Sequence, residues 1–133
     1  MTDKDEQPIL FRNTMRITPG HLDGFAEAID KAVKFTEAHG PQLMVEVFID
    51  EEQLLAYSFQ LYADSASILK HWELSDPYIQ DVMEHCTVAQ FDIYGQPNQT
   101  VLDGLNRAGA TDFPITMHRR LSGFTRLSKP TTA

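Results

Sequence analysis

Three side chains in this 133-residue chain interrupt an apolar pattern with groups that could do chemistry. Asn13 stands in the run Ile9-Leu10-Phe11-Arg12-Asn13-Thr14-Met15-Arg16-Ile17, whose other odd positions are all apolar. An amide there either holds an oxygen atom of a ligand or is satisfied by neighbouring backbone, since a buried amide without partners is costly. Trp72, the only tryptophan, can wall a pocket for a flat aromatic molecule or serve as a plain core anchor. His71 beside it has the proton affinity of a general base. In a helix it stands about 100° from Trp72, which favours a solvated surface histidine over a base in the pocket. Tyr57, Tyr62 and Tyr78 could donate to the same ligand, although strand tyrosines commonly pack.

Other chemistry finds no support in the spacing. The five histidines, at positions 21, 39, 71, 85 and 118, form no i,i+4 pair and no cysteine cluster accompanies them, so no metal site is expected. There is no glycine-rich phosphate loop and no dinucleotide fingerprint. Cys86 is the single cysteine, which fits a reducing, cytoplasmic location and an inert buried thiol. A net charge of −8 argues against nucleic acid. No apolar run approaches the ~20 residues of a membrane span, and the polar Met1–Gln7 reads as a tail, not a signal peptide. All 19 acidic residues and seven of the eleven basic ones fall in residues 1–112, giving −12; residues 113–133 carry the other four basic residues, giving +4. That basic segment is expected to dock on the acidic body or on a second copy of it.

The elements that must position these residues follow from periodicity. Ile9–Ile17 alternates as a strand. Thr18-Pro19-Gly20 is expected to cap and start a helix that buries Leu22, Phe25, Ala26, Ile29, Ala32, Val33 and Thr36 and stops at Gly40-Pro41. Gln42–Asp50 and Leu54–Tyr62 read as a hairpin with apolar residues on both faces. Asp64 caps a helix to Leu74, with Ile68, Leu69 and Trp72 inward, and Asp76-Pro77 starts another to about His85, with Ile79, Val82 and Met83 inward. Thr87–Tyr94 is a fourth strand, Asn98–Ala108 a helix, and Ile115–Arg126 a fifth strand interrupted by Gly123. The order predicts an α+β fold, a ferredoxin-like β-α-β-β-α-β unit with a C-terminal helix and strand. The expected division is a tail at 1–8, the main domain at 9–95, an extension at 96–127 packed on the same domain or on a partner, and a tail at 128–133.

The segments Asn13-Thr14-Met15-Arg16-Ile17-Thr18-Pro19-Gly20 and His71-Trp72-Glu73-Leu74-Ser75-Asp76-Pro77-Tyr78, in this order of elements, resemble the antibiotic biosynthesis monooxygenase family across residues 9–95. The resemblance implies a dimeric α/β barrel, two ferredoxin-like sheets face to face, which would cover the doubly apolar strands. It also implies a homodimer that binds a small molecule. The implied activity is a cofactor-independent monooxygenase acting on a partly aromatic, oxygen-bearing substrate, or a non-catalytic binding protein of the same fold. The resemblance supports Asn13 and Trp72 as site residues; with the residue reading above, the candidate site is Asn13, Trp72, Tyr57 and Tyr78 for substrate, with His71 as proton acceptor. The haem-degrading members have a similar asparagine and tryptophan, but their haem-ligating histidine corresponds to Val82 here, so haem is disfavoured and no cofactor is expected.

Overall fold

The elements are β1 (Ile9–Ile17), α1 (Leu22–His39), β2 (Met44–Asp50), β3 (Leu55–Tyr62), α2 (Ser65–Met83), β4 (Cys86–Tyr94), α3 (Gln99–Arg107) and β5 (Ile115–His118). The computed structural model describes residues 7–107 and 113–126. The sheet order is β2-β3-β1-β4-β5; neighbours are antiparallel except β4 and β5, which run parallel with α3 as their crossover. This is the ferredoxin-like unit with one added helix and strand. Helices α1 and α2 pack on each other over one face of the sheet.

Alternation in β1 sends Ile9, Phe11, Asn13, Met15 and Ile17 to the helix-covered face. Two apolar clusters form there, one at each end of the strand. Met15 and Ile17 join Phe25, Ala28, Ala56, Val82 and Cys86. Ile9 and Phe11 join Tyr62, Ile68, Ile93 and Val101, with Leu69, Trp72, Leu105 and Ile115 packed around them. Asn13 lies between the two.

Four local expectations are corrected. Thr18-Pro19-Gly20-His21 is a turn, not a helix start: His21 N–H donates to Thr18 C=O at 2.9 Å and Gly20 has φ +86°. Proline second and a positive-φ glycine third make a type II turn, so α1 begins only at Leu22. Pro77 does not separate two helices. It lies inside α2, on an exposed side, while Ser65, Ile68, His71, Ser75 and Val82 keep one buried stripe at three- and four-residue steps. Of the residues read as inward, Ile68 and Val82 are on that stripe, Leu69 and Trp72 are half-buried against the core beside it, and Ile79 and Met83 are partly in solvent. β5 ends at His118, because its parallel register with β4 runs out at Tyr94, where Gly95 turns the chain away at φ +118°.

The other face of the sheet is uncovered. Leu55, Tyr57, Phe59 and Leu61 of β3 point there with Met44 and Phe48 of β2, and Phe48 is 56% exposed. Its other half is polar. Arg12 donates twice to Asp92 Oδ2, at 2.9 and 2.8 Å, and Gln90 and Thr116 donate to Asp92 Oδ1. Burial alone would raise the Asp92 carboxyl, but the hydrogen bonds from Thr116, Gln90 and Arg12 outweigh it and hold it below the usual carboxylate range. Residues 119–126 are exposed, and among the described residues Arg119, Arg120 and Arg126 pair with no carboxylate. The expected docking of this segment on its own body through ion pairs is therefore not seen for these residues; Lys129 lies outside the described residues.

Candidate functional site

Between the two apolar clusters, three elements turn polar at the same level. β1 supplies Asn13 between Phe11 and Met15. β3 supplies Ser58 and Gln60 between Ala56 and Tyr62, and Asn13 is paired with Ser58 in register. α2 supplies His71 and Ser75 between Ile68 and Val82. Gln42, just before β2, closes the belt. These side chains line a cavity of about 100 Å³, whose other walls are the apolar side chains of α1, β2 and the end of α2. Ile79 and Met83, both partly in solvent, stand at its rim.

Hydrogen bonding within the belt is incomplete. Tyr62 donates its hydroxyl to Gln60 Oε1 at 2.5 Å, Gln42 Nε2 donates to the same oxygen at 3.3 Å, and Gln60 Nε2 donates to Ser58 Oγ at 3.4 Å. This chain fixes the Gln60 amide. Asn13 Oδ1 and Gln42 Oε1 are buried without any partner. Buried acceptors are almost always satisfied, and leaving one bare costs about 1–3 kcal/mol. Both residues line the cavity; Gln42 Oε1 lies against Gly40, and Asn13 Oδ1 marks a place where a donor belongs.

His71 is 7% exposed, and its Nδ1 is 2.9 Å from Ser75 Oγ. Burial pushes its pKa down to about 4, so the ring is neutral at physiological pH. Tyr62, buried beside it, has its phenol raised by desolvation and stays protonated. Tyr78 also lines the cavity and stacks on Phe35 of α1, with ring centroids 4.4 Å apart.

The residues singled out from the sequence therefore divide. Asn13, His71 and Tyr78 come together at the cavity. Trp72 does not reach it: one step round α2 from His71, it packs toward α3, where a Cβ on Gly104 would lie 2.5 Å from its Cζ3. Tyr57 is on the opposite face of the sheet with Arg12. The expectation of a solvated His71 is thus overturned, while Trp72 is the core anchor that its place beside Ile68 and Leu69 suggests. The stripe was judged by hydrophobicity, and the buried stripe here is partly polar. Gln42, Ser58, Gln60 and Ser75 were passed over. The available signal was alternation, which puts Ser58 and Gln60 on the same face of β3 as Ala56 and Tyr62.

No family model and no curated protein matches the chain. Solved structures do. MupZ from Pseudomonas fluorescens superposes with a TM-score of 0.72 at 12% identity, covering 94% of this chain and 99% of that one. A Caulobacter crescentus protein provisionally named an antibiotic biosynthesis monooxygenase gives 0.62 at 13% identity, covering 71% and 93%. SnoaB from Streptomyces nogalater, described as a cofactor-independent oxygenase, gives 0.59 at 8% identity, covering 70% and 96%. The chain shares the fold of these proteins, among them the one named an antibiotic biosynthesis monooxygenase. The match to MupZ leaves only 6% of this chain uncovered, so it takes in most of the segment after β4, whereas the other two leave nearly a third. Among the described residues no helix is long and apolar enough to cross a membrane.

Proposed function

We propose that this protein is a cofactor-independent monooxygenase whose substrate is a small, partly aromatic molecule bearing a hydroxyl group. The observation that carries the reading is the pair of bare amide oxygens, Asn13 Oδ1 and Gln42 Oε1, in one cavity with a neutral imidazole. Bare acceptors select a hydrogen-bond donor, which a second hydroxyl of the substrate supplies while the hydroxyl that ionises turns to His71. If His71 Nδ1–H donates to Ser75 Oγ, the Nε2 lone pair is free to take the substrate proton. The resulting phenolate gives one electron to dioxygen, the two radicals join as a peroxide, and loss of water leaves a quinone. One oxygen atom of O₂ stays in the product and the other leaves as water. The protein holds the substrate, takes the proton and excludes bulk solvent. The fold shared with SnoaB supports this reading.

A cavity of about 100 Å³ is smaller than the ~150 Å³ that accommodates benzene. A larger substrate would extend into the adjoining groove of about 370 Å³, which shares Ile29, Val33, Val45 and Val47 as walls. The small volume and the low proton affinity of His71 favour a second reading, a binding protein of the same fold without turnover. Oxygen-electrode measurements separate the two, using chelator-treated protein and a panel of hydroquinones and fused-ring phenols. Catalysis gives one O₂ consumed per quinone formed, one ¹⁸O incorporated from ¹⁸O₂, and a rate about 10²-fold or more lower in His71→Gln. A ligand-induced rise in melting temperature with no oxygen uptake supports the binding protein.

The reading includes a homodimer. The apolar half of the uncovered face, around Leu55, Phe59 and Phe48, would otherwise remain in water. In such a dimer the basic C-terminal segment is free to lie on the partner. Sedimentation that finds a folded monomer at micromolar concentration contradicts the dimer.

A further inference from the structure

We propose that His21, His85, Asp81 and Glu84 form a site for a divalent first-row transition cation, zinc or a metal of similar ligand preference. A ring nitrogen of His85 and one carboxylate oxygen each of Asp81 and Glu84 lie within 4.8 Å of one another. His85 belongs to a second group as well: its Nδ1 is 3.1 Å from His21 Nδ1. Two imidazole nitrogens each bound at about 2.0–2.1 Å to one metal stand roughly 2.8–3.4 Å apart, for angles between a right angle and the tetrahedral one. The two rings share one N–H across this 3.1 Å hydrogen bond, and the same spacing falls in the range of a chelating pair. Imidazole with carboxylate is a donor set that suits zinc and its neighbours.

Backbone hydrogen bonds fix the two histidines independently of their side chains. The type II turn delivers His21, and His85 C=O accepts from Thr18 N–H at 3.0 Å within that same turn. His85 N–H in turn donates to Val82 C=O at 3.0 Å. Gly24, inside α1, leaves room for the ring: a Cβ there would lie 2.7 Å from His85 Cε1. Glycine is a poor helix former, and in this position it keeps the imidazole pair together.

Charge points to a cation independently of this geometry. Asp81 and Glu84 lie at the C-terminal end of α2, where the helix dipole is negative and carboxylates are disfavoured. The last turn of α2 has no basic residue, and among the described residues neither carboxylate forms an ion pair. A bound cation neutralises both. His85 is the member common to the carboxylate group and the imidazole pair. None of the four residues lines the cavity, so the site stands apart from the proposed oxygen chemistry. Its effect is to tie the start of α1 to the end of α2. Sequence spacing could not reveal it, since 64 positions separate the two histidines.

The test is calorimetric titration of the chelator-treated full chain with zinc chloride, with melting temperature followed in parallel. The expected result is one ion per chain, micromolar affinity or tighter, and a rise in melting temperature. His21→Ala and His85→Ala should each weaken binding by about tenfold or more, since losing a direct ligand costs no less than losing its supporting partner. Gly24→Ala should also weaken binding, by displacing the His85 ring, without lowering the melting temperature of the metal-free protein. Zinc affinity unchanged in both histidine variants, or stoichiometry well below one ion per chain, overturns the proposal.

Discussion

His71 and Trp72 are consecutive on α2 and belong to opposite kinds of interior. Trp72 enters a dry region where α2, α3 and the sheet close on Ile9, Phe11, Tyr62, Ile68, Ile93 and Val101. The Tyr62 hydroxyl there is donated to Gln60, and Gly104 is needed to let the indole approach α3. His71 faces a belt where Asn13, Gln42, Ser58, Gln60 and Ser75 surround open volume and two amide oxygens have no partner. The dry region is built as a core is built. The belt breaks the rule that buried polar groups are satisfied, and such local breaks are found where function requires them. Substitutions in the two regions should therefore move stability in different directions.

The largest effect belongs to the dry region. Trp72→Ala should cost about 3–4 kcal/mol of folding stability in denaturant titration, somewhat short of the range for a fully buried tryptophan because the indole is half-buried. The folded fraction should bind phenolic ligands as the parent does. A selective loss of binding would place Trp72 back at the site.

Next is acid stability. His71 has a pKa of about 4 in the folded state against about 6.5 unfolded. Between those values the unfolded chain takes up a proton that the folded chain refuses. Stability therefore falls as pH drops below about 6.5, and the loss levels off below about 4, at on the order of 3 kcal/mol. The difference in unfolding free energy between pH 7 and pH 4.5 should be smaller in His71→Gln than in the parent. Equal pH dependence in the two proteins would mean that His71 is not a buried neutral imidazole.

Smaller is Gly104→Ala. Alanine is the better helix former by about 1 kcal/mol, yet its Cβ would overlap the indole, so a net loss of roughly 1–2 kcal/mol is expected in chemical denaturation. A gain would show that Trp72 can yield and that the contact with α3 is loose.

What the sequence disclosed depended on whether the controlling interaction was local. Alternation in Ile9–Ile17 fixed β1 to the residue, and Asp64 caps α2 as its type suggests, accepting from Ser67 N–H at 2.8 Å. The fold followed from element order. The continuity of α2 through Pro77 did not, because a proline on an exposed helix side is tolerated only when tertiary packing holds both halves to the same partner. The site was half legible. Asn13 stands out against apolar neighbours, but Ser58 and Gln60 lie in a strand dominated by large apolar residues, and His71 shares its buried stripe with Ser65 and Ser75, which hydrophobicity alone does not find. The His21–His85 pair rests on a strand pairing, Ile17 with Cys86, that only the folded sheet supplies.

The central claim is that the belt serves a ligand and not the fold. Asn13→Leu tests it most directly, with melting temperature and phenol binding measured on the same sample. Removing a bare buried amide from between Phe11 and Met15 should leave stability unchanged or raise it by up to about 1 kcal/mol, while the ligand-induced rise in melting temperature disappears. A fall in stability comparable to the Trp72→Ala loss, with ligand binding retained, would contradict the account and make Asn13 a structural residue.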